Sequence, residues 1–172
     1  MKSKISITEG DLTLLDVDAI VNAANQTLLG GGGVDGAIHR AAGPDLLAEC
    51  HTLGGCNTGT SKITKGYQLP AKHVIHTVGP VWNDGLQGEP ERLGSCYQTS
   101  FALALEYGIR TIAFPAISCG VYRFPFDQAC RIAIKEALAF LHAHPDALEE
   151  IIFCCFDESA TAQYREAMAE IN

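Results

Sequence analysis

No run of apolar residues in this 172-residue chain approaches the roughly 20 that a helix needs to cross a bilayer. The opening residues, Met1-Lys2-Ser3-Lys4-Ile5-Ser6, carry no apolar h-region, so neither a signal peptide nor a membrane partner is expected. Positive charge is scarce: 12 Lys and Arg stand against 20 Asp and Glu, a net charge of −8. That sign argues against direct nucleic-acid binding, and an anionic ligand would have to be held by local donors against the overall field. There is no low-complexity linker and no internal repeat, which leaves a single domain over residues 1–172. Nor are the cysteines arranged for pairing. Seven is an odd number, scattered through apolar stretches such as Phe153-Cys154-Cys155-Phe156, and they read as reduced, mostly buried thiols in a cytoplasmic protein.

What is present is a regular alternation. Lys4 to Thr8, Asp18 to Asn22, His73 to Val78, Thr111 to Phe114 and Ile151 to Phe156 read as strands, several of them apolar on both faces. Between them run amphipathic helices: Val34 to Ala42, Pro44 to Cys50, Pro90 to Tyr107, Phe126 to His142 and Ser159 to Ile171. Gly43-Pro44 ends one helix and starts the next. Leu53 to Gly66, rich in glycine and threonine, has no clear period. Strands buried on both faces and alternating with helices predict an α/β sheet covered on both sides.

The most unusual stretch is Leu29-Gly30-Gly31-Gly32-Gly33-Val34-Asp35-Gly36-Ala37-Ile38-His39. A glycine loop entering a helix N-terminus offers converging N–H groups to an anion. Asp35 in the first turn has two readings: a plain complement to the helix dipole, or a carboxylate set over a substrate. His39, one turn on, reads as a structural or surface residue.

Ligands of open α/β sheets bind beyond the carboxyl ends of the strands. Four such ends carry residues that packing leaves unexplained: Gly10-Asp11-Leu12, Asn22-Ala23-Ala24-Asn25, the loop Pro115 to Pro125, and Phe156-Asp157. If these strands are parallel neighbours, the four groups line one cleft. Each also has a plainer use. Asp11 suits an N-cap, Asn22 and Asn25 suit turns, Ser118-Cys119-Gly120-Val121-Tyr122 suits an ordinary connection, and Phe156 suits the core.

Other motifs fail on context. Gly31 to Gly36 formally fits G-x-G-x-x-G, but it does not directly follow its strand and no acidic residue ends the next one. The Lys and Ser/Thr of a P-loop are missing. Cys50-His51 with Cys56 lacks a second ligand pair for zinc, and no serine sits in a nucleophile elbow.

Taken together, Gly10-Asp11-Leu12, Asn22 to Asn25, Gly30 to Gly43, His76-Thr77-Val78-Gly79-Pro80-Val81-Trp82 and Pro115 to Pro125 resemble the macrodomain family. The likeness is to its MacroD-type branch, which includes bacterial O-acetyl-ADP-ribose deacetylases, and it covers nearly the whole chain. It implies a three-layer α/β/α sandwich with a mixed central sheet, acting without cofactor or metal on ADP-ribose and O-acetyl-ADP-ribose, and on proteins carrying mono-ADP-ribose on Asp or Glu. By position it implies that Asp11, with Leu12 beside it, meets the adenine amino group and that Phe156 packs on the ring. Gly32, Gly33 and Val34 on one side and Ser118, Cys119, Gly120, Val121 and Tyr122 on the other would wrap the diphosphate. Asn25 would hold the distal ribose, Asn22 would support that loop, and Asp35 would position a water. A non-catalytic ADP-ribose reader is the alternative. Three departures stand out: Arg123 where the family usually has glycine, Cys119 in place of threonine, and a short segment from His51 to Cys56.

Overall fold

The computed structural model describes residues 1–171. Its strands are β1 (Ile5–Glu9), β2 (Ala19–Ala24), β3 (Ser61–Lys65), β4 (His73–Val78), β5 (Thr111–Phe114) and β6 (Glu150–Cys155). Its helices are α1 (Gly33–Ala42), α2 (Pro44–His51), α3 (Glu89–Glu106), α4 (Phe126–Ala143) and α5 (Glu158–Glu170), with single 3-10 turns at Lys2–Lys4 and Leu12–Leu14. The strands form one sheet in the order β1-β6-β5-β2-β4-β3. Every neighbouring pair is parallel except β3 with β4, so the sheet is mixed through one edge strand. Residues 53–66 hold that strand. Ser-Lys-Ile-Thr-Lys has no apolar face to announce itself, and its pairing with β4 makes it a strand.

Alternation along the strands divides the interior into two layers. Ala19, Val21, Ile75, Ile112, Phe114, Ile151 and Phe153 face α3, α4 and α5, where Phe114 packs on Tyr97, Phe101 and Phe153 at ring separations of 5.1, 5.2 and 5.9 Å. Ile20, Ala24, Val74, Val78, Ala113 and Ile152 face the other way, against Ile38, Ala42, Leu46 and Cys50 of α1 and α2. The result is the three-layer α/β/α architecture. Asn22 and His76 share the parity of Ile20 and Val74, so both polar side chains project under α1. All seven cysteines are free; six are buried and Cys119 is half-buried.

Candidate functional site

Strands β1, β6, β5 and β2 are consecutive in the sheet and parallel, so their carboxyl ends open on one edge. The four polar groups picked out along the chain therefore meet at one cleft.

The glycine loop forms one wall. Gly32 is the N-cap of α1, and the N–H groups of Gly33, Val34 and Asp35 are the ones a helix leaves unsatisfied. Asp35 is only 4% exposed, too buried for a dipole complement out in solvent. Its Oδ1 accepts from Asn22 Nδ2 at 2.9 Å and lies 3.5 Å from His39 Nε2. A Cβ built on Gly31 would lie 3.1 Å from Asp35 Oδ2 and 3.3 Å from Asn25 Nδ2, so both polar ends converge on that glycine. Gly36 brings this about: the Gly31 carbonyl oxygen rests where its Cβ would be, 2.6 Å away. Asn25 also holds the turn. Its Nδ2 donates to the Gly30 carbonyl at 3.0 Å, and its Oδ1 accepts from Thr27 N–H at 3.1 Å and from Thr27 Oγ1 at 2.6 Å. The second Nδ2 proton is spare.

Behind Asp35 lies a buried polar chain. Asn22 Nδ2 is 3.1 Å from His76 Nδ1, and His76 Nε2 is 2.9 Å from Thr64 Oγ1, which donates to the Lys65 carbonyl at 3.1 Å. Burial, and secondly the charge of His39, push the His76 imidazole down to about 3 from 6.5, so it is neutral. Asn22 is fully buried. It lies behind the carboxylate, between Asp35 and His76, in the supporting position that the resemblance implies. His39 comes up against Asp35, as its i, i+4 spacing on one helix allows.

The loop after β5 forms the opposite wall. Phe124 N–H donates to the Ser118 carbonyl at 2.8 Å and Arg123 N–H to the Gly120 carbonyl at 3.0 Å, closing a compact turn. The N–H groups of Cys119, Gly120, Val121 and Tyr122 donate to no protein acceptor among the described residues. Four free donors in succession suit an anion. Ser118 sits at φ +66° with a buried, unpartnered hydroxyl lodged against Gly79. Arg123 takes φ +60°, so the backbone that glycine would supply is kept despite the side chain. Cys119 donates to the Ile117 carbonyl at 3.4 Å, and burial pushes its thiol up to about 12, far from the reactive thiolate. Trp82 N–H donates to the Tyr122 carbonyl at 2.8 Å, and the Trp82 ring packs on Phe124 at 4.8 Å. That anchors the loop to the segment leading to α3.

At the far end, Phe156 is 79% exposed, so it lies outside the core at the rim of the cleft. Asp11 caps the 3-10 turn, accepting from Thr13 N–H at 2.9 Å and Thr13 Oγ1 at 2.7 Å through one oxygen. The Leu12 side chain is buried in the α1/α2 layer, away from the cleft floor. The short segment after α2 rests on the Asn25 turn, with Cys56 N–H donating to the Gln26 carbonyl at 2.9 Å.

Comparison with known proteins agrees with this geometry. A family model described as Macro domain matches residues 21–133. Macro domain-containing protein CT2219 of Chlorobaculum tepidum is 58% identical over 165 residues, 96% of this chain and 95% of that protein. Human ADP-ribose glycohydrolase MACROD2 is 53% identical over 171 residues, 99% of this chain, which spans only 40% of that protein's length. The crystal structure of Trypanosoma brucei macrodomain in complex with ADP-ribose aligns with a TM-score of 0.90 at 50% identity, over 95% of this chain and 68% of that one. More than half of the chain lies within the family match and its relatives run along almost all of it, so it belongs to the macro domain family, in the MacroD-type branch.

Proposed function

We propose that this chain is a hydrolase of acyl esters on the distal ribose of ADP-ribose. Its substrates are O-acetyl-ADP-ribose, giving ADP-ribose and acetate, and mono-ADP-ribose linked to Asp or Glu side chains of proteins. The observation that carries the reading is the buried Asp35 carboxylate, converging with Asn25 on Gly31 between two walls of free N–H groups. A pure diphosphate site has no use for a carboxylate there, since it repels phosphate. The macrodomain neighbour in complex with ADP-ribose supports the ligand, and the relatives named ADP-ribose glycohydrolase support hydrolysis of an ADP-ribose compound.

In this reading Phe156 and Asp11 take the adenine. The donors of Cys119 to Tyr122 and of Gly32 to Val34 hold the diphosphate, and Asn25 meets the distal ribose. An aspartate carboxylate is a weak base, so Asp35 acts chiefly by orienting a water for attack on the ester carbon. His39 stands where it can relay the proton that the water loses. The ester C–O bond breaks, and the ribose oxygen leaves with a proton. N–H donors facing the cleft stabilise the developing negative charge. The free thiols support a reducing, cytoplasmic setting.

The test incubates wild type and Asp35→Ala with both substrates, following ADP-ribose release and, by calorimetry, ADP-ribose affinity. Turnover should fall by on the order of 10²–10⁴-fold while affinity changes little. Binding by the wild type without release from either substrate would establish the reader alternative instead.

A further inference from the structure

One buried residue lies outside the chemistry described so far. His76 is fully buried in β4, in a layer whose other buried polar groups include Asn22, Asp35 and Thr64. It is the register partner of Asn22 across the β2–β4 pairing, and the two side chains project to the same side. An imidazole at such a position must have its polar atoms accounted for.

The Asp35 carboxylate decides the polarity: only the nitrogen end of the Asn22 amide can face its Oδ1. That nitrogen also faces His76 Nδ1, so Nδ1 accepts and Nε2 carries the proton toward Thr64 Oγ1, whose hydroxyl points to the Lys65 carbonyl. His76 Nδ1 is then bare and accepts from Asn22 Nδ2. The second proton of that amide goes to Asp35 Oδ1. Rotating the amide would set its oxygen 2.9 Å from the carboxylate oxygen, acceptor against acceptor. The same choice leaves Asn22 Oδ1 buried without a protein partner, a cost set against the two bonds of the nitrogen end. Cys50 Sγ, 3.9 Å from Nε2, and the His39 ring, 6.5 Å away between centroids, are the other polar neighbours. Neither supplies Nδ1 with a donor.

We infer that His76 is a positioning residue for the hydrolytic site: its bare Nδ1 locks the Asn22 amide so that Asn22 holds the Asp35 carboxylate in one orientation. The inference rests on the hydrolase reading only for its consequence in turnover. The hydrogen-bond polarity from the Lys65 carbonyl to Asp35 is a property of the ligand-free protein. Neutrality of His76 is part of the device, since a proton on Nδ1 would break the contact with Asn22.

Two measurements test it. Nitrogen-15 NMR of the wild type near neutral pH should find the neutral tautomer protonated on Nε2. A proton on Nδ1, or a cationic ring, overturns the proposal whatever the enzyme does. Turnover is then compared in His76→Leu, which keeps bulk but loses the acceptor, and His76→Asn, whose Oδ1 falls near the lost Nδ1. The leucine variant should lose on the order of ten- to a hundred-fold in kcat with ADP-ribose affinity unchanged. The asparagine variant should recover most of that loss. Equal kcat in wild type and folded His76→Leu, or no recovery in His76→Asn, would overturn it. A wild type that binds ADP-ribose but releases nothing removes the hydrolase reading while the tautomer measurement still decides the hydrogen-bond arrangement.

Discussion

At the scale of single residues, the most telling conformation is that of Arg123, an exposed side chain on a left-handed backbone at φ +60°. An L-residue there is strained by about 1–2 kcal/mol, and glycine is free of that strain but orders at a larger entropic cost. Arg123→Gly should therefore raise stability by up to about 1 kcal/mol, read as a higher urea midpoint at unchanged slope. A lower midpoint would mean that the guanidinium makes a stabilising contact in solution. Leu28, at φ +60°, Tyr67, at φ +54°, and Ser118, at φ +66°, share the conformation. Three of these four residues, all but Tyr67, lie in the two loops that wall the cleft, where strain is commonly kept for function.

At the scale of elements, the working unit is α1 together with the glycine loop that enters it. Helix and loop meet at Gly36, where backbone oxygen and not a flexible side chain occupies the space of a Cβ. A methyl group there cannot be accommodated by a rotamer change. Gly36→Ala should cost about 1–3 kcal/mol and displace Gly31 from between Asp35 and Asn25. Turnover should then fall further than the stability loss accounts for, measured on the folded fraction at low temperature. A variant that keeps wild-type turnover would separate the loop's position from its activity. On the opposite wall the anchoring device is Glu89, buried at the start of α3 and accepting from the N–H groups of Asn83, Asp84, Gly85 and Gln87. One carboxylate thereby organises the segment that carries Trp82 to the loop after β5.

Across the whole molecule these buried groups act together in the response to acid. Burial alone would raise the Glu89 carboxyl, but the surrounding backbone N–H groups, Asn83 foremost, outweigh it and hold it down at about 2 against an ordinary 4.5. A depressed carboxyl contributes stability that is complete above 4.5 and is lost as pH falls toward 2. His76 works in the same direction by another route. The unfolded chain protonates it near 6.5, while burial and then His39 delay that in the folded protein to about 3. Thermal melts should thus show Tm falling as pH drops below about 6.5 and falling more steeply below about 4.5. Glu89→Gln should be less stable at neutral pH but flatter between 4.5 and 2, and His76→Leu flatter between 6.5 and 3. An unchanged lower slope in Glu89→Gln would move the acid sensitivity to other carboxylates.

Much of this was legible in order along the chain. Hydrophobic period and end signals locate β4 and β5 to the residue and α3, α4 and α5 to within a residue or so, because those signals are local and depend on near neighbours. The glycine run, the asparagine pair and the Ser118 to Tyr122 loop stand out as polar or flexible matter that packing does not require. Strand β3 did not announce itself, since an edge strand with little buried surface takes its conformation from its partner. The surroundings of His76 were invisible for a related reason: a histidine's role lies in what faces it, and its partner Asn22 stands across a strand pair, whereas His39 sits one helical turn from Asp35, a spacing the sequence shows. Phe156 as rim and not core, and Arg123 on a left-handed backbone, depend on where the strand order puts their loops. Local chemistry thus determined the elements and the composition of the cleft. Only the tertiary structure decided which strand ends became neighbours, which carboxylate was buried, and which hydrogen bonds hold it, because those depend on contacts between residues far apart in the chain.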